Sequence, residues 1–148
     1  MSLLSKQVMY LQPFNQETYE KMSMEKRITA YTSYLYGKDK LVNLKRLSEI
    51  EKLPDNWNNN GAEKISIGVI KAVRKLLMGM EYQPEIFPTA CGTIQFEYDG
   101  DNNSYIEFEI GASDFIEVFL IDKKGESRKY QIKNDLESVE KEVKTFYA

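Results

Sequence analysis

Histidine is absent from the 148 residues of this chain, and cysteine occurs once, at Cys91. Without histidine there is no Ser-His-Asp or Cys-His catalysis and no imidazole metal ligand. One cysteine makes neither an internal disulfide nor a multi-cysteine zinc site, so Cys91 is expected as a buried or half-buried structural thiol. No apolar run approaches the ~20 residues that a membrane-spanning helix needs. The opening MSLLSKQVMYLQPF also lacks the basic end, apolar stretch and small-residue cleavage site of a secretory signal, so a cytoplasmic protein with no membrane partner is expected. Basic runs are missing too. Net charge is −3 with lysines and arginines scattered among acids, which argues against nucleic acid as a partner. Glycine-rich phosphate signatures are absent, so no nucleotide cofactor is expected. The segment DGDNN (Asp99, Gly100, Asp101, Asn102, Asn103) resembles a calcium loop but lacks its glycine position and its closing bidentate glutamate. It reads as a hairpin turn, and no metal is expected.

What remains is an ordinary globular composition, 42% apolar and 29% charged, with ten Tyr and seven Phe. The length suits one domain over residues 1–148, with 1–15 as a mobile arm or an edge strand. From Gln16 to Tyr36 apolar residues recur at roughly helical spacing, with a break near Ser23 and a stop at Gly37. Leu41, Leu44, Leu47 and Ile50 form the stripe of a helix from Lys40 to Lys52, which Leu53-Pro54 ends. A further helix begins after Ser66 as N-cap, with Ile65 and Ile70 as a hydrophobic staple, and runs to Met80. Gly68 in its first turn would permit close packing there.

After Tyr82 the character changes. Pro84 and Pro88 mark an extended connection, and PTACG (Pro88 to Gly92) a tight entry into the first strand. From Thr93 the period becomes two. Ile94, Phe96 and Tyr98 share a face with Ile106, Phe108 and Ile110 of the next strand; the simplest register pairs Phe96 with Ile106 and Ile94 with Phe108. Phe115 to Asp122 and Ser127 to Ile132 read as two more strands. Asn134 would cap a last helix whose buried stripe is Leu136, Val139, Val143 and Phe146. The expected fold is α+β: N-terminal helices, a four-stranded antiparallel β-meander and a C-terminal helix.

LPDNWNNNGAEKIS, Leu53 to Ser66, holds the only Trp. It reads as the corner between two helices, with Asn58 to Gly61 supplying positive φ and Trp57 folding back into the core. Two groups of side chains are candidates for function. Glu97, Glu107 and Glu109 fall on the polar face of the first hairpin, where carboxylates can bind a divalent cation or act as acid and base. Tyr31, Tyr34 and Tyr36 lie close together in TAYTSYLYG and suit a protein-binding or dimer surface. Trp57, Gly61, Ser66 and Asn134 are structural.

LPDNWNNNGAEKIS, a helix, then PTACGTIQFEYDGDNNSYIEFEI resembles a group of small uncharacterised bacterial proteins. The shared pattern is a Trp-Asn/Asp…Gly-Ala corner followed by a Pro-Thr…Gly-x-Ile-x-x-Glu-aromatic strand. It rests here on Trp57, Gly61, Ala62, Pro88, Thr89, Gly92, Ile94, Glu97, Tyr98, Glu107 and Glu109. The resemblance covers residues 53–110 and implies the fold, adding weight to Glu97; it implies no activity. The leading expectation is a non-enzymatic protein-binding module, antitoxin-like, immunity-like or homo-oligomeric. The alternatives are a metal-dependent hydrolase or nuclease using the sheet carboxylates, and a small-molecule binder with an aromatic pocket.

Overall fold

The computed structural model describes residues 16–148, without the side chains of residues 16, 19 and 31–36. The expected arm or edge strand over 1–15 lies outside the described residues. Contacts group the chain into two compact units, one ending at Val42 and one spanning Asn43–Ala148.

In the first unit, α1 (Gln16–Lys21) and α2 (Met24–Tyr36) are separate helices. Ser23 makes the break: its hydroxyl accepts from the Lys26 N–H at 3.3 Å, satisfying one donor of the new helix. Gly37, at φ 80°, ends α2 in the left-handed region that favours glycine. Helix α3 (Lys38–Glu51) begins beyond it.

The second unit is α+β. Beyond α3 come α4 (Ile67–Gly79), β1 (Glu85–Pro88), β2 (Ile94–Asp99), β3 (Tyr105–Ile110), β4 (Phe115–Ile121), β5 (Ser127–Lys133) and α5 (Leu136–Tyr147). The strands form one antiparallel meander in the order β1-β2-β3-β4-β5, five strands where the sequence predicts four. The extra strand is the segment between the two prolines. Pro88 pairs with Ile94 on an edge strand, a place where its missing N–H is tolerated. PTACG is therefore the β1–β2 turn rather than a lead-in. Gly92 adopts φ 77°, and the Thr89 and Thr93 hydroxyls meet at 2.6 Å. Cys91 is exposed in this turn, not buried as expected, because a tight turn has no interior face.

Period-two alternation puts Ile86, Ile94, Phe96, Ile106, Phe108, Ile110, Ile116 and Val118 on the buried face. Leu47 and Ile50 of α3, Val69, Ile70, Val73, Leu76 and Leu77 of α4, and Val139 and Val143 of α5 complete that core. The β2–β3 register is displaced by two residues from the expected one: Phe96 faces Phe108 and Ile94 faces Ile110. The connection is two residues longer, with Asp99 paired to Tyr105, and within it Asn102 and Asn103 take φ 55° and 58°. An even displacement leaves every apolar side chain on its face.

The corner LPDNWNNNGAEKIS is held by its own amides. Asn56 N–H donates to the Ala62 carbonyl at 2.7 Å, and the Asn56 side-chain oxygen accepts from Gly61 N–H at 2.7 Å. The Asn58 side-chain oxygen accepts from the Asn60 and Ala62 N–H groups at 2.8 and 3.0 Å. Asn59 and Gly61 adopt positive φ, as does Asn56. Trp57 corrects the expectation: it is half-buried outside the core, and its indole N–H donates to the Glu63 carbonyl at 3.3 Å. The residue that enters the interior is Ala62. Ser66 caps α4 by accepting from Val69 N–H at 3.3 Å. Gly68 has open space where a Cβ would point, its nearest neighbour being the Ser66 hydroxyl at 3.9 Å, so close packing does not account for it. Asn134 is not the cap of α5; Asp135 is, accepting from Ser138 N–H at 2.8 Å. Asn134 instead donates its amide to the Ser113 carbonyl at 3.2 Å, tying β5 to the β3–β4 loop.

Candidate functional site

The face of the sheet opposite the core collects the acids. On β1 the pattern Glu85-Ile86-Phe87 buries Ile86 and turns Glu85 outward. On β2 the outward residues are Gln95 and Glu97, on β3 Tyr105, Glu107 and Glu109, and on β4 Glu117 and Phe119. Register then sets neighbours. Glu85 faces Glu97, and Glu97 faces Glu107, so three carboxylates form one row across β1, β2 and β3. In the next row Glu109 stands between Gln95 and Glu117.

These carboxylates are held by neutral donors. Thr93 Oγ1 donates to Glu109 Oε1 at 2.8 Å, Gln95 Nε2 to Glu107 Oε1 at 2.8 Å and the Tyr105 hydroxyl to Glu107 Oε2 at 2.7 Å. The Gln131 amide donates to Glu117. No cation joins them. The ion pairs among the described residues are Lys21–Glu17 and Arg74–Glu51, both elsewhere. Lys129, on the β5 edge, lies 5.7 Å over the Phe119 ring rather than on a carboxylate. Arg46 sits 5.1 Å over the Phe87 ring and donates to the Ile86 carbonyl at 2.6 Å.

The electrostatic consequence appears at Glu97. Burial raises its pKa above the ordinary value, a hydrogen bond with Tyr105 lowers it, and the charges of Glu107, Glu85 and Asp99 raise it further. Tyr105 is pushed well above its usual range by burial and by its bond to Glu107, so its hydroxyl stays protonated and donates. The face is thus an acidic strip, half-buried at Glu97, Glu107 and Glu109 and exposed at Glu85 and Glu117, flanked by Phe87, Tyr105 and Phe119.

Of the residues singled out from sequence, Glu97 and Glu107 are direct cross-strand partners and Glu109 is one row away. Among the described residues no group of three or more acids or cysteines is arranged to hold a metal ion. Tyr31, Tyr34 and Tyr36 lie on α2, and their side chains are outside the described residues. Glu85 and Glu117 were missed by sequence reasoning. Glu85 belongs to the segment read as a connection, and Glu117 stands alone among the apolar residues of FIEVFLI, which hides its alternation. The alternation Glu85-Ile86-Phe87 is the signal that would have found the first.

No helix among the described residues is long and apolar enough to cross a membrane. Neither a family model, nor a curated protein, nor a solved structure matches the chain.

Proposed function

We propose that this chain is a non-enzymatic protein-binding module whose outer sheet face receives a basic surface of a partner protein. The observation that carries the reading is the run Glu85, Glu97, Glu107, Glu109 and Glu117, which no cation neutralises among the described residues. Like charges directly opposite each other on a sheet are destabilising. A lysine- or arginine-bearing partner would relieve that repulsion on docking, and complementary charge would speed encounter and reject acidic competitors. Phe87, Tyr105 and Phe119 supply rigid aromatic contact area beside the acids. A homodimer through this face would set two acidic strips against each other, so the reading favours a heterologous partner. An antitoxin-like or immunity-like role against a cationic protein fits it.

The test is selection of random displayed peptides on the folded chain. Enriched peptides should carry lysine or arginine with an aromatic residue. Their affinity should fall steeply as salt rises past the concentration at which the screening length is about 10 Å. The triple variant Glu97→Gln, Glu107→Gln, Glu109→Gln should fold and lose the binding. Enrichment of acidic or neutral peptides, or unchanged affinity in the triple variant, would show the reading to be wrong.

A further inference from the structure

Ser104 carries the one buried side-chain polar atom that has no hydrogen-bond partner among the described residues. It closes the β2–β3 turn and is 3% exposed. Its hydroxyl and the edge of the Phe146 ring crowd the same point above Gly100, where no Cβ would fit. Buried hydroxyls are nearly always bonded, so an orphaned one requires an explanation. Ser104 lies in the wall of a cavity of about 290 Å³ between the last turns of α5 and the adjoining ends of β3, β4 and β5.

The cavity is amphipathic. Ile106, Leu120 and Phe146 give it an apolar wall, while Lys123, Lys124 and Arg128 supply cations. None of these cations is paired with a carboxylate among the described residues. Two acids share the cavity, and both are engaged. Asp122 Oδ1 accepts the Lys124 and Glu126 N–H groups at 2.9 and 3.0 Å, and Glu142 Oε2 accepts the Tyr130 hydroxyl at 2.6 Å. Three cationic side chains therefore stand against two carboxylates that are turned to their own donors, and the excess positive charge attracts an anion. A 150 Å³ cavity admits benzene, so this volume suits a ligand of roughly ten to twelve non-hydrogen atoms.

We propose that this cavity binds a small amphipathic organic anion. Its carboxylate lies at the Lys123, Lys124 and Arg128 side, its body lies against Ile106 and Leu120, and an oxygen at its far end bonds to the Ser104 hydroxyl. Phe146 is the side chain that turns aside to admit it. The site is separate from the acidic sheet face and stands or falls independently of it.

The experiment titrates the full chain with 4-hydroxyphenylacetate, followed by amide ¹H–¹⁵N resonances, beside phenylacetate and 4-hydroxyphenylacetamide. The first should bind saturably and shift Ser104, Leu120 and Phe146. Phenylacetate, which cannot reach Ser104, should bind about three- to tenfold more weakly. The amide, which lacks the charge, should also bind more weakly. Ser104→Ala should bring the two acids to equal affinity. Lys124→Gln, on the surface and harmless to the fold, should weaken both acids and leave the amide unchanged. Equal affinity of the two acids for the unaltered chain, or non-saturating shifts scattered over surface lysines, would overturn the proposal.

Discussion

Replacing Glu97 with Gln should make the protein more stable and a poorer binder at once. Glu97 has a carboxylate directly opposite on each side, Glu85 and Glu107. Each such like-charge pair costs on the order of 0.2–1 kcal/mol, so removing the middle charge should gain about 1 kcal/mol at neutral pH. The Tyr105 hydroxyl already donates to Glu107, and a Gln amide can donate to its oxygen, so little is lost in exchange. For a domain of this size the gain corresponds to about 3–6 °C in Tm. The pH dependence has a definite sign. Because the folded pKa of Glu97 is raised, the folded chain holds this proton more tightly than the unfolded one. Stability from this group is therefore highest below the ordinary carboxylate value and falls as pH rises through the window up to the folded pKa. Thermal and urea unfolding from about pH 3 to pH 8 should show wild type and Glu97→Gln converging in acid and separating above it, with the gap narrowing in high salt. A variant less stable than wild type at neutral pH, or a gap independent of pH, would refute the electrostatic account of the face.

Gly68→Ala should stabilise α4 by about 0.5–1 kcal/mol, since the position is helical and nothing obstructs a Cβ; calorimetry reads it. Trp57→Ala should cost about 1–2 kcal/mol in urea unfolding, short of the ~3–5 kcal/mol of a core aromatic, because the indole is half-buried and makes one hydrogen bond. Asp135→Ala should fray α5 more than Asn134→Ala does, seen as faster amide exchange at Ser138. The Asp135 carboxyl is held below its ordinary range by its bond to Ser138, so the capping contribution is present above the unfolded value and lost as pH falls through the folded one.

Elements with long periods were legible in the sequence, and local competitions were not. Alternation from Thr93 onward marks β2 and β3, the apolar run from Phe115 marks β4, and the Ile65, Ser66 and Ile70 pattern marks the start of α4. β1 escaped because it offers only one buried apolar residue, Ile86, between prolines that usually signal an irregular connection. Trp57 misled because its size argues for burial, whereas the corner satisfies its amides internally and sends the small Ala62 inward. Asn134 and Asp135 are both good caps, and their one-residue ambiguity is resolved by Asn134 reaching the Ser113 carbonyl instead. The acidic pairs depend on register: Glu97 opposite Glu107 follows only once Asn102 and Asn103 fix the turn. The isolation of the Ser104 hydroxyl depends on Gly100 and Phe146, which no spacing in the sequence connects to it.

An acidic outer face also has a bland explanation, since charge on an exposed sheet discourages aggregation. That role is served best by well-hydrated charges of both signs, placed where strands are unpaired. The chain meets that need elsewhere: Arg128, Lys129 and Lys133 line β5, one of the two edges where another strand could add. The glutamates do the opposite. All but Glu85 occupy interior strands, they face one another across β1, β2 and β3, and burial helps raise the pKa of Glu97. Repulsion of this kind lowers stability. The proposed docking role would account for such a cluster, since function commonly trades against stability. The buried face, with Phe96 packed opposite Phe108 and the core residues of α3, α4 and α5 against it, supplies the stability that lets the outer face carry that cost.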